Sequence, residues 1–335
     1  MKSSVGKQIY KRIMIFVLLT LVTIFAVSKL LDFISYNPES YTMVSEEEDY
    51  KVSDFTMLFD NYLSLYYPGT ILLDSKASPK KGFGCYEYRY NISKRKWHTV
   101  IGNNYNTILK IKRGKLSPEF LEDGTMVILA DSFYDAGGDQ EYYAHVKENL
   151  TIDDALLSDI RKLPDSAELI CDISFDETKT AKEFASFMKN YDCHYIWAAV
   201  SNPYAYMMGT VTGLNLSPTV VYSVTDDFAG KYPGITDFAD TDWSEDAIAN
   251  NLTDHYLSSL KLMLDHKAFV KTVNTSLIYI KEEQLQSQYE LVSEKGLPII
   301  GSQIRVSKEE LLRMIEEKAF SYLYVEDVTV SPLAW

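Results

Sequence analysis

The side chains with the greatest chemical capacity in this chain are few, and their spacing does not suit them to act together. His255 and His266 stand eleven residues apart; on one helix that is three turns and about 16 Å along the axis, too far to grip one ion. Cys193 and His194 are neighbours, so on a strand they point to opposite faces. Cys171 shares alternate positions with Leu169, Ile173 and Phe175, the pattern of a buried thiol. Asp237, Asp240, Asp242, Glu245 and Asp246 gather carboxylates without the residue order of a Ca²⁺ loop. The chain holds no H-E-x-x-H, C-x-x-C, G-x-S-x-G, Walker loop or G-x-G-x-x-G. Gly82-Phe83-Gly84 and Gly209-Thr210-Val211-Thr212-Gly213 read as turns. The expectation is a protein that is not an enzyme, with no catalytic residue, no metal and no cofactor, although a site built from scattered residues leaves no local signature.

Charge is the stronger signal. Between Pro68 and Pro118 eleven Lys and Arg face two acids, a net of +9, which leaves −23 for the rest of a chain that totals −14. Within that basic stretch Lys80, Lys81, Arg95, Lys96, Lys112 and Arg113 are candidates for contact with an anionic surface, lipid or wall polymer. Each cation near such a surface contributes about 1 kcal/mol. The competing reading is a solvated sheet face, or a patch docked on the acidic second half.

What holds those residues in place begins with Ile13 to Ile34. Ile13 to Val27 contains no charge and eleven Ile, Leu, Phe or Val, each favouring insertion by about 0.3 to 0.6 kcal/mol. Fifteen residues rise only about 22 Å, so the helix must run on through Lys29 to about Ile34 to span a core of about 30 Å. Lys29 then snorkels to the interface. Lys2, Lys7, Lys11 and Arg12 precede the run, and acids follow it, which predicts a single-pass cell-membrane protein with its N-terminus in the cytoplasm and its bulk extracytoplasmic. A cleaved signal peptide is the rival, since Ala26-Val27-Ser28 offers small residues at the right place. With the basic stretch outside the membrane, nucleic acid is excluded as a partner. Three cysteines, an odd count, build no disulfide framework and fit an export compartment poor in disulfides.

The remaining chain is expected as a linker over 35–49, an N-terminal outer domain over 50–163 and a C-terminal domain over 164–335. In the first, Phe55 to Tyr66 has helical spacing and is stopped by Pro68-Gly69. Ile71 to Leu73, Phe83 to Ile92, Thr107 to Ile111 and Thr125 to Ala130 read as strands of a small antiparallel sheet, and Leu150 to Leu163 as a helix. In the second, Ile173-Ser174-Phe175, a helix opening at Thr180 and Tyr195-Ile196-Trp197 align with Ile304-Arg305-Val306, a helix opening at Ser307 and Tyr322-Leu323-Tyr324. Thr180 with Glu183 and Ser307 with Glu310 both match the capping-box pattern. Two strand-helix-strand units predict a ferredoxin-like α/β sandwich. Between them an insertion over 202–296 reads as loop from Asn202 to Asn250, then as helices over Leu252 to Val273 and Leu277 to Lys295. The fold class is therefore α+β: one transmembrane helix, a small antiparallel β domain with one or two helices, and a ferredoxin-like domain with a helical insertion.

In order along the chain, the basic tail, the membrane helix, Pro68-Gly69, Gly82-Phe83-Gly84, Ile173-Ser174-Phe175-Asp176, Tyr195-Ile196-Trp197, Ser259-Leu260-Lys261-Leu262-Met263-Leu264, Ile300-Gly301 and Tyr324-Val325-Glu326-Asp327-Val328 resemble the sigma factor regulator family of low-GC Gram-positive bacteria. The resemblance implies a membrane-bound anti-sigma factor, with an N-terminal regulator domain to about Leu163 and a C-terminal one beyond. It implies no catalytic residues. Such proteins ordinarily hold the sigma factor with a cytoplasmic domain ahead of the membrane helix, and here Met1 to Arg12 precede it. The expectation is thus an accessory regulator that works with a sigma factor or another membrane regulator as partner, with an envelope-binding surface protein as the alternative.

Overall fold

In the computed structural model the described residues are 2–34, 36–44, 52–77, 81–94, 105–116, 133, 135, 147, 150–202, 208–212, 224–236, 244–274 and 280–330. Helix α1, Lys2–Ile34, contains the apolar span Gln8–Phe33, and among the described residues it is the one helix long and apolar enough to cross a membrane. Its apolar side chains turn away from the protein; Phe16 is 71% exposed and Phe25 65%.

Helix α2, Asp54–Tyr66, opens on Ser53, whose side chain accepts the Thr56 N–H. It is followed by strands β1 (Thr70–Ala77), β2 (Cys85–Lys94), β3 (Tyr105–Lys112) and β4 (Lys115–Leu116), an antiparallel sheet in chain order. Tyr86, Tyr88 and Tyr90 alternate along β2 and turn inward, while Arg89 between them is exposed. The inward rings meet α2: Tyr88 lies 5.0 Å from Phe55 and Tyr90 5.6 Å from Phe59, centroid to centroid. Such pairs add about 0.5–1.5 kcal/mol each beyond the area they bury. The strand expected over Thr125 to Ala130 lies outside the described residues.

Helix α3, Asp154–Lys162, leads into the second sheet through β5, Ala167–Thr180. Then come α4 (Ala181–Asn190), β6 (Cys193–Val200), β7 (Met208–Val211), α5 (Asp226–Lys231), α6 (Pro233–Thr236), α7 (Glu245–Asp265), α8 (Lys267–Val273), α9 (Glu282–Lys295), β8 (Pro298–Ser307), α10 (Lys308–Glu316) and β9 (Tyr322–Val330). The sheet is antiparallel in the order β7-β6-β8-β5-β9. Its four strands β6-β8-β5-β9, joined as β5-α4-β6 and β8-α10-β9, have the ferredoxin-like arrangement that the repeat predicts. The two caps differ in detail. Thr180 and Glu183 close a full capping box. Ser307 accepts the Glu310 N–H, but the Glu310 carboxylate accepts instead from the Asp192 N–H at 2.7 Å and from Arg313. The second helix start is therefore tied to the turn before β6.

The insertion is more ordered than its composition predicts. The stretch read as loop from Asn202 to Asn250 contains β7, α5, α6 and the first turn of α7. Strand β7 escapes a sequence reading because it is short and carries a glycine. That glycine is required: a Cβ on Gly209 would lie 2.2 Å from the Ala198 carbonyl oxygen and from the Trp197 ring. The helix expected to run unbroken to Val273 stops at Asp265 and restarts after His266, whose ring Nδ1 lies 2.7 Å from the Leu262 carbonyl oxygen.

Helix α2 lies between the two sheets, and one hydrophobic core runs from Phe55 and Tyr88 through Phe269 to Leu260 and Ile304. The Asn61 side-chain amide donates to the Ser259 carbonyl of α7 at 3.1 Å, and the Trp197 indole donates to the Ser64 carbonyl at 2.7 Å. The turn after α2 presses on β8, where Gly69 (φ +64°) passes so close that a Cβ would lie 2.4 Å from Gln303 Oε1. Gln303 in turn donates to Asp172 at 3.0 Å and Glu326 at 2.8 Å. The face of the second sheet away from α4 and α10 is thus covered, with Ile170, Ile196, Trp197 and Ile300 packed against Phe133 and Leu150.

Candidate functional site

Several of the chemically capable side chains singled out from sequence are buried or paired within the fold. His255 is buried, its Nδ1 2.7 Å from Thr210 Oγ1, and burial pulls its pKa down to about 3, so it stays neutral. Cys171 is fully buried, and burial, with Asp172 and Glu326 nearby, pushes its thiol well up. Burial likewise pushes Cys193 to about 12. Glu245 and Asp246 occupy the first turn of α7, where Asp246 pairs with Lys182 of α4 at 2.7 Å; Asp237, Asp240 and Asp242 lie outside the described residues. Among the described residues no group of three or more His, Cys, Asp or Glu is placed to hold a metal. A cleft of about 270 Å³ opens beside α8 and α9, with Met263, Val270, Lys271, Ile280 and Leu285 in its wall. Its wall is mixed, with Lys267, Lys271, Asn274, Lys281, Glu282 and Glu283 beside the apolar side chains, and Lys267 is paired with Glu282.

The most specific arrangement is the joint where the long apolar helix α1 meets the first sheet. Gly82, Phe83 and Gly84 take φ of +86°, +54° and +67°. Two of these suit glycine; for Phe83 the left-handed conformation costs about 1–2 kcal/mol. Bent this way, the loop turns the N–H groups of Phe83 and Gly84 toward α1. The Gly84 N–H donates to Asp32 Oδ1 at 2.8 Å, and the Phe83 N–H donates to Ser28 Oγ at 3.3 Å. The bond to a carboxylate is of the stronger, charge-assisted kind.

Beyond the helix the chain stays pinned. Tyr36 sets its ring 6.3 Å from Phe55, and Tyr86 donates its hydroxyl to Asn37 at 3.3 Å. The Asp54 N–H donates to the Ser40 carbonyl at 2.8 Å. The Asp54 carboxylate, buried at the start of α2, accepts from the Thr42 N–H at 2.8 Å, the Thr42 hydroxyl at 2.9 Å and the Met43 N–H at 3.0 Å. Thr225, the cap of α5, donates its N–H to the Met43 carbonyl at 3.0 Å, and Val44 bridges Val224. A continuous run of contacts therefore leads from α1 through the first sheet and α2 into the insertion of the second sheet.

Of the six cations singled out from sequence, Lys80, Arg95 and Lys96 lie outside the described residues. Lys81, Lys112 and Arg113 are exposed and brought together at this joint, because the Arg113 N–H donates to the Gly84 carbonyl at 2.8 Å. Lys115, exposed on β4, joins them. Lys81 stands 4.0 Å from Glu87, a loose and well-solvated pair. Ser28, Asp32 and Asp54, which hold the joint, escape a sequence reading, since lone polar residues near a membrane helix carry no pattern. Gly82-Phe83-Gly84 was the available signal: glycines flanking an aromatic mark a backbone that a side chain elsewhere can approach.

A family model described as sigma factor regulator C-terminal matches residues 160–327. The match begins in α3 and ends within β9, so it takes in the second sheet up to Asp327, with its helical insertion. No curated protein and no solved structure matches the chain.

Proposed function

Because the chain belongs to the sigma factor regulator family, we propose that it is a membrane-anchored extracytoplasmic regulator in anti-sigma factor signalling, acting by binding and conformation rather than by catalysis. The observation that carries the reading is the family match over the second sheet. Three further features support it. Helix α1 has the length and apolar surface of an anchor. Ser28 and Asp32 at its outer end are held by the Gly82–Gly84 loop, which favours a retained helix over a leader cut near Ser28. And the joint gives an event at the second sheet a packed route to α1, since coupling travels through contiguous elements with defined contacts. The partner is a sigma factor or a second membrane regulator, met through α1 or its cytoplasmic end.

Co-purification of the full-length chain from its native membranes tests this. The expected eluate contains a sigma factor or an anti-sigma membrane protein, and Asp32→Ala, which loosens the joint, leaves that partner bound but changes transcription from the promoters that the sigma factor serves. An eluate holding wall polymer or no protein partner would instead favour an envelope-binding protein that uses the exposed cations beside the joint.

A further inference from the structure

Of the two turns that close the membrane-proximal end of the first sheet, Lys81 to Cys85 grips α1 and Lys112 to Lys115 lies against Tyr36 just beyond it, and neither has a further assigned role. Their depth is fixed by that grip. Ser28 precedes Phe33, the last residue of the apolar span, by five residues, which is about 7–8 Å along the helix axis. The loop therefore meets α1 below the top of the span. A core of about 30 Å takes about 20 residues, and counted from Ile13, the first residue after Arg12, that depth ends near Asp32. Elements that lie along a membrane surface bury their apolar side about 5–10 Å into the boundary between headgroups and chains. The loop sits at that level.

What it presents there is amphipathic. Phe83 is 41% exposed at the loop tip, held outward by a backbone conformation that costs energy and whose N–H is spent on Ser28. Around it stand the exposed cations Lys81, Lys112, Arg113 and Lys115, and Lys29 of α1, which lies over the Phe25 ring. The acids nearby are engaged: Asp32 by the Gly84 N–H, and Glu87 by Arg89 at 3.6 Å and Lys81 at 4.0 Å. Wall polymer would account for the cations but not for an exposed aromatic ring held against a membrane helix.

We infer that these two turns form a seat on an anionic lipid leaflet, with Phe83 entering the chain boundary and Lys81, Lys112, Arg113 and Lys115 meeting lipid phosphates. The inference rests on the reading of α1 as a membrane anchor. Seated in this way, the first sheet cannot swing about the end of α1, and the helix and outer module move as one body relative to the bilayer.

The test uses the full-length chain reconstituted in vesicles. Phe83→Trp serves as a loop probe, read by the quenching that brominated lipids add over the parent chain, and Val22→Trp as an anchor probe read in the same way. On phosphatidylglycerol-containing vesicles the loop probe is quenched most by bromines placed near the headgroup, and the anchor probe by deep ones. Removing one cation, as in Lys81→Ala or Arg113→Ala, lowers the ratio of seated to unseated sheet about fivefold on anionic vesicles, with little change on phosphatidylcholine. An unquenched loop probe beside a quenched anchor probe overturns the seat and leaves the anchor standing. An unquenched anchor probe overturns the anchor, and the seat with it. Equal quenching on both lipids, indifferent to the cations, overturns the anionic specificity. Retention of the chain on wall polymer together with an unquenched loop probe on anionic vesicles reassigns the surface to wall polymer and overturns the inference.

Discussion

At the scale of single residues the chain spends its reactive groups on fit. His255 faces Thr210 across the contact between α7 and β7, and its imidazole is kept neutral by burial. Unfolded, it would titrate near 6.5, whereas buried it titrates near about 3, so the unfolded state binds the extra proton in between and stability falls as the pH drops through that window. Full-length protein in detergent should lose about 2 kcal/mol from this one group between pH 6.5 and pH 5. His255→Asn should show a correspondingly flatter pH dependence in denaturant unfolding; an unchanged slope would mean that other groups carry the acid sensitivity. The buried state of Cys171 was legible from its alternation with Leu169 and Ile173. The roles of Asp32 and Asp54 were not, because each is defined by partners at sequence separations that no local pattern records: 52 residues for Asp32, and the fold of the linker back onto α2 for Asp54.

At the scale of elements, periodicity carried far where an element obeys one face. Tyr86, Tyr88 and Tyr90 announce β2, the spacing of Phe55, Leu58, Phe59, Leu63 and Tyr66 announces α2, and the paired strand-helix-strand units announce the ferredoxin-like order. It failed where an element is short and borrows its stability from a neighbour, as β7 does from β6 and α5 from its cap at Thr225. It also missed the break at His266, where no Pro or Gly stands. Between α1 and α2 the decisive contact is electrostatic: the buried Asp54 carboxylate gathers three donors from Thr42 and Met43. Replacing it orphans two backbone N–H groups, so Asp54→Ala should cost about 2–4 kcal/mol. Hydrogen exchange at the amides of Thr42 and Met43 should rise in the variant while the amides of β5 and β8 keep their protection. Unchanged exchange at Thr42 would show that this segment is held by its other contacts, at Tyr36, Asn37, Ser40, Met43 and Val44.

At the scale of the whole molecule the two sheets and the membrane helix share one mechanical frame. Helix α2 is the keystone, with β2 on one side and α7 and the Trp197 face on the other. Composition located the charges and hydropathy located the span, yet neither could show that the basic turns fold back onto the span, since that depends on the register of β2 and β3 and on three successive left-handed residues. The account stands on the joint between α1 and the first sheet, and cysteine trapping in native membranes tests it most directly. A Cβ on Gly82 would lie 3.7 Å from Ser28 Oγ, within the reach of a disulfide. In a chain carrying Cys85→Ser, the pair Ser28→Cys and Gly82→Cys should cross-link under mild oxidation to a faster-migrating band on a non-reducing gel, whereas Leu30→Cys with Gly82→Cys, on another face of α1, should not. Equal cross-linking of both pairs, or a stronger band from the Leu30→Cys pair, would contradict a fixed joint and with it the route from the outer module to α1.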